Sequence, residues 1–172
     1  MEFLIPGLIL VGFMVWASTR IKRNAARAFE EETVETEEFS LVKPEGFLSH
    51  AEPPAGLLFS AYSKEYGRDD AESLRQAVAE VRRFDGAAFD DIREAAKQDG
   101  AGLVSEQTGV IAERRCANIV VEGRAKGVAI ETYHKIIAGE RAVYQLSVSV
   151  LSDHRDDLSA KVDRFIDSFA LK

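Results

Sequence analysis

Through residues 126–151 apolar and polar side chains alternate with a period of two, the pattern of strands that bury one face. Val128, Ile130, Thr132, His134 and Ile136 share one side of a run over 126–137. Tyr144, Leu146, Val148 and Val150 share one side of a second run over 141–151, with Ala138-Gly139-Glu140 as the turn between them. Two further β-rich runs, 103–113 and 115–122, precede this pair, and Gly109, Gly123, Gly127 and Gly139 mark turns or bulges. A closing helix from Ser152 or Asp153 carries Leu158, Val162, Phe165, Ile166 and Phe169 on one stripe, which is expected to cover the sheet.

The first half changes period more often. Residues 38–43 read as a strand stopped by Pro44-Glu45-Gly46-Phe47, and residues 57–63 as a second strand after Pro53-Pro54-Ala55-Gly56; the two are expected to pair as a hairpin. Asp69 or Asp70 is a suitable cap for a helix running to Arg83, with Leu74, Val78 and Val81 at helical spacing and Glu72, Arg75, Glu80 and Arg82 toward water. Residues 87–98 repeat that pattern with Phe89 and Ile92 as the apolar pair. Strands, helices, more strands and a last helix, in this order, make an α+β sandwich.

The N-terminal run is of another kind. Residues 3–17 contain no charge, so a helix there has no polar face to show water and reads as a membrane anchor. At about 1.5 Å per residue, extension through Thr19 covers about 25 Å, the short end of a bilayer span. Arg20, Lys22 and Arg23 can snorkel to headgroups, and Trp16 suits the interface. The chain is thus divided into a transmembrane anchor (1–21), a charged stalk or linker (22–36), whose acidic residues read as a solvated spacer, and an α+β domain (37–172). A cleaved secretory signal is the competing reading, with Val15-Trp16-Ala17 as its cleavage pattern. A signal, however, places basic residues before its apolar run, and here they follow it. The same asymmetry puts the domain on the cytoplasmic side of the inner (plasma) membrane, with export to the periplasm as the alternative.

A chain of 172 residues with net charge -7 has room for one compact domain, and its basic residues are interleaved with acids, which argues against a nucleic-acid partner. The single Cys116 excludes an internal disulfide and reads as a sheet or core residue. His50, His134 and His154 fall in a loop, on a sheet face and at a helix start, with no pairing at metal-ligand spacing. The carboxylate pairs Asp69-Asp70, Asp90-Asp91 and Asp156-Asp157 sit at helix starts or polar sides, where the macrodipole accounts for them. No phosphate loop, nucleophile elbow or dinucleotide fingerprint occurs, so no catalytic, cofactor-binding or metal-ligating residue is assigned.

Phe39-Ser40-Leu41-Val42-Lys43-Pro44-Glu45-Gly46-Phe47, then Tyr144-Gln145-Leu146-Ser147-Val148-Ser149-Val150 and Phe165-Ile166-Asp167-Ser168-Phe169, resemble the opening strand and turn, the last strand and the terminal helix of one superfamily. It is the one that holds the photosystem accessory protein PsbP, the Ran-binding Mog proteins and bacterial DcrB-like proteins. The resemblance covers 37–172 and implies a three-layer sandwich, an antiparallel sheet flanked by helices. It also implies a non-enzymatic binding module, and a membrane-anchored domain meeting a protein partner is the leading expectation. A binder of small apolar ligands or lipid, with a groove near Tyr133, His134 and Tyr144, is the alternative. An enzyme is the third reading, and it would need carboxylates converging on His134 or Cys116.

Overall fold

The computed structural model describes residues 27–172, and the apolar run expected to form an anchor lies outside the described residues. Among the described residues no helix is long and apolar enough to cross a membrane. The elements follow in the order β1 (Glu32–Glu35), β2 (Phe39–Lys43), β3 (Phe47–Ser49), β4 (Phe59–Ser63), β5 (Ala77–Asp85), α1 (Phe89–Lys97), β6 (Gly102–Ile111), β7 (Arg114–Ala125), β8 (Val128–Ala138), β9 (Ala142–Leu151), α2 (Arg155–Ser168) and β10 (Ala170–Leu171).

The period-two runs of the second half become a meander. β6, β7, β8 and β9 pair antiparallel in succession, and β9 continues into β5, β4 and β3 to give a seven-stranded sheet ordered β3-β4-β5-β9-β8-β7-β6. β1, β2 and β10 form a separate three-stranded sheet. The β7–β8 turn is closed by Lys126 and Gly127, both at positive φ, as a two-residue hairpin loop matched to strand twist requires.

Each face of the large sheet has its own core. On one face, Ala117, Ile119, Val121, Ile136 and Val143 are buried with Phe89 and Ala96 of α1. On the other, Ala77, Ala79, Val81, Leu146, Val148 and Val150 are buried with Leu158, Val162 and Phe165 of α2, as the stripe on the last helix predicts. Phe165 meets the Phe47 ring edge-on at 5.0 Å, and Phe169 packs 5.8 Å from Phe39, which ties α2 to the small sheet. Val42 N–H donates to Ser168 Oγ at 2.9 Å, and Lys135 Nζ donates to the Ile166 carbonyl at 2.7 Å, supplying a cation where the helix dipole ends negative. Burial pushes the Lys135 ammonium below its ordinary pKa. Among the described residues the fold is a sheet-dominated α+β one with antiparallel sheets and, against the larger sheet, two helices, one on each face.

Three expectations give way. The helix over 70–83 is instead a short 3-10 turn at Asp69–Ala71 followed by β5. Leu74, Val78 and Val81 mimic a helical stripe, but Ala77, Ala79 and Val81 are the residues buried, and nine consecutive pairings with β9 outweigh the local spacing. The hairpin of 38–43 with 57–63 does not form: β2 pairs with β1 and β10, while β4 takes β3 as its neighbour. The cause is the turn at Pro44-Glu45-Gly46-Phe47, where Gly46 at φ +88 sends the chain into a new strand rather than a loop. The acidic spacer, finally, contributes β1, whose Glu32–Glu35 pairs with β2 throughout. Lys43 anchors this corner: it is fully buried, and its ammonium donates to the Ala28 carbonyl at 2.8 Å and the Phe47 carbonyl at 3.1 Å.

Candidate functional site

The register of β8 and β9 separates the three residues singled out for a groove. Tyr133 lies opposite Val148 and Tyr144 opposite Ile137, both on the α2 face, whereas His134 lies opposite Ser147 on the α1 face. Tyr133 packs against the core beneath α2, where burial and the neighbouring Glu131 push its phenol up to about 12. Tyr144 lines a shallow charged depression with Glu38, Arg83 and Arg141, and burial raises its phenol as well. His134 therefore stands apart from both tyrosines.

What surrounds His134 comes from elements far apart in sequence. Cross-strand pairing aligns Glu80 of β5, Ser147 of β9 and His134 of β8 in one row. Arg82 faces Gln145 in the next row, and Ser149 faces Thr132 on the other side. With the end of α1 and Asp99 just beyond it, these residues border a groove of about 440 Å³. His134 has no side-chain exposure. The Gln145 amide donates to its Nδ1 at 2.9 Å, so the ring proton sits on Nε2, which has no hydrogen-bond partner. Asp99 Oδ2 is 3.6 Å from Nε2, too far for a hydrogen bond. Burial pushes the imidazole below its ordinary pKa, opposed by Asp99 and aided by Arg82, so the ring is neutral at neutral pH. Thr132 and Ser149 exchange a hydroxyl bond at 3.0 Å, and Arg82 pairs with Glu80 at 2.9 Å.

Neither imidazole nitrogen faces a hydroxyl: one takes an amide and the other looks toward a carboxylate. This is not the serine–histidine arrangement that activates a nucleophile. Cys116 is buried on the opposite face, within the α2-side core. Among the described residues, no group of three or more His, Cys, Asp or Glu is placed to hold a metal ion. The sequence marks His134 by its place on a strand face. Glu80, Arg82 and Asp99 escape notice, because the first two acquire a face only once β5 is a strand and the third follows a helix whose docking fixes it.

A second feature is the sheet edge. β6 pairs with β7 on one side only and ends the sheet, and nearly all of its ten residues are exposed. Leu103 and Val104 at one end and Val110 and Ile111 at the other are exposed apolar residues, Val110 by 68%. Its one charge, Glu106, is drawn back onto α1 by Lys97 at 2.8 Å and Arg93 at 3.5 Å. β6 has neither the lysine nor the proline that blunts exposed edges; a register shift at Leu103/Ser105 is its one irregularity.

No protein-family model matches the chain, and no curated protein matches it in sequence. Solved structures do match in fold. LpqN of Mycobacterium tuberculosis, involved in cell envelope biogenesis, aligns with 83% of this chain and 91% of its own at 9% identity and a TM-score of 0.57. The cyanobacterial PsbP of Synechocystis aligns with 83% and 92% at 10% identity and 0.56. The Ran-binding protein Mog1p of Saccharomyces cerevisiae aligns with 83% and 96% at 11% identity and 0.53. The described domain thus has the PsbP-like fold that its strand and helix signatures resemble, and at these identities the likeness is one of fold.

Proposed function

We propose that this chain is a membrane-anchored, non-enzymatic binding and assembly module, and that the edge of β6 takes up an extended segment of a protein partner at the membrane surface. One observation carries the reading: a ten-residue, largely exposed strand, irregular only at Leu103/Ser105, ends the sheet with an open side and apolar pairs at both ends. Strand addition to such an edge gains affinity from main-chain hydrogen bonds and specificity from alternate side chains. Because Glu106 is held against α1, the edge itself is close to neutral, and the segment that fits it is uncharged with apolar residues near its ends. The fold likeness supports a binding role, since one of the matched structures is a Ran-binding protein. The uncharged run 3–17, followed by Arg20, Lys22 and Arg23, supports anchoring with the domain on the cytoplasmic side.

The test uses the full chain in its native membrane. Val110→Lys and Leu103→Lys place charges on the edge without touching a buried residue, and Leu48→Lys on β3 serves as the control at the opposite edge. The partner adduct formed by crosslinking is expected to disappear with the first two and persist with the third. Loss with all three, or with none, contradicts the proposal. An adduct of twice the chain's own mass would assign the edge to a second copy and overturn the partner reading. For topology, a cysteine at exposed Lys126 is expected to react with an impermeant reagent only after the membrane is breached; reaction from outside would place the domain in the periplasm.

A further inference from the structure

The groove beside α1 presents an unusual set of groups. His134 lines the groove, and its Nε2–H is fully buried and has no acceptor, a state that buried polar groups rarely keep. In front of it, Asp99 Oδ2 stands 3.6 Å away, so the two frame a place where one atom can accept from the ring and donate to the carboxylate. A hydroxyl group does both. A carbonyl can accept from Nε2 but sets its lone pairs against Asp99; an anion meets Asp99 and Glu80; an ammonium meets the Nε2 proton. The alternation continues across the sheet. Ser147 lies between His134 and Glu80 in the cross-strand row, and the Arg82 guanidinium flanks Glu80 at 2.9 Å. Phe84 and Ile92 also line the groove and offer apolar surface to C–H groups. Its volume of about 440 Å³ lies within the range of small-molecule clefts.

From this geometry we infer that the groove is a binding site for a neutral polyhydroxylated ligand of the small-saccharide class, one of whose hydroxyl groups bridges His134 Nε2 and Asp99. The site lies on the α1 face and does not depend on the β6 edge, so either can fail alone. Burial keeps the imidazole neutral, which preserves a single donor for that hydroxyl.

The experiment is a titration of the full chain in phospholipid nanodiscs, free of sugar-headed detergents, followed by the ring-nitrogen NMR signals of its three histidines. Glucose, mannose and maltose are the neutral probes, and acetate and ammonium the charged ones. At least one sugar is expected to shift the His134 signals saturably while those of His50 and His154 stay in place. Asp99→Ala, a change at an exposed position, is expected to weaken that binding about tenfold, as loss of one hydrogen bond to a charged group does, with an unchanged urea midpoint. If no sugar shifts His134, the groove holds water only and the inference fails. A shift with acetate or ammonium alone, or sugar binding unaltered in Asp99→Ala, overturns it as well.

Discussion

The buried polar residues set two measurable properties. His134 is neutral because burial lowers its pKa, so the folded state binds a proton less readily than the unfolded state at the ordinary value near 6.5. Its contribution to stability is therefore complete above about pH 6.5 and is lost as the pH falls from there through the lower folded value. Urea unfolding across that interval should show stability declining on acidification, and His134→Gln should flatten the decline. Glu31, Asp90 and Glu94, whose carboxyls are held down by hydrogen bonds from Arg164, Arg115 and Lys97, lose their contribution only below about pH 4, which keeps the two effects apart. Lys43 is the second case. Lys43→Ala removes the donor shared by the Ala28 and Phe47 carbonyls, and should cost about 1–3 kcal/mol in the same measurement.

Among the elements, the hairpin turns differ in how well sequence suits geometry. The β7–β8 loop places Gly127 at φ +87, whereas the β6–β7 loop holds Ala112 at φ 48 and Glu113 at φ 64, a left-handed conformation that side chains with a Cβ disfavour. Replacing Ala112-Glu113 by Asn-Gly should stabilise the protein by about 1 kcal/mol, seen as a higher urea midpoint with an unchanged slope. Phe165→Ala, which empties the fully buried contact of α2 with Phe47 in the core of the larger sheet, should cost about 3–5 kcal/mol. The elements legible in the sequence are those with one uninterrupted period. β8 and β9 are readable nearly to their ends, as is the stripe of α2, whereas β7 runs through Gly123 to Ala125, past the Glu122 at which the sequence pattern stops it, because pairing with β8 carries the strand across the glycine. β5 is not legible, because an i, i+3 spacing at Val78 and Val81 satisfies a helix as well as local pattern can, and only pairing with β9 decides. β3 was hidden by its three residues, too few to show any period. The same limit governs the groove: His134 could be placed on a face, but its neighbours come from β5, β9 and the end of α1, and no local pattern joins them.

For the whole molecule, the arrangement is one of division. The α2 face is closed by a helix and a second sheet, the α1 face keeps a polar groove, and the β6 edge keeps an open side with apolar ends. An exposed edge of this length, whose one charge is neutralised by α1, favours association, and a chain that keeps one is expected to use it. A net charge of -7 leaves the chain averse to anionic lipid and nucleic acid, which favours a protein over either as the partner proposed for the β6 edge. The most direct test is a scan of photoreactive residues through positions 103–111 and 47–49 of the full chain in its native membrane. The account predicts a heteromeric adduct of one discrete mass along β6 and none along β3. Absence of any adduct from β6, or equal labelling from both edges, would contradict it.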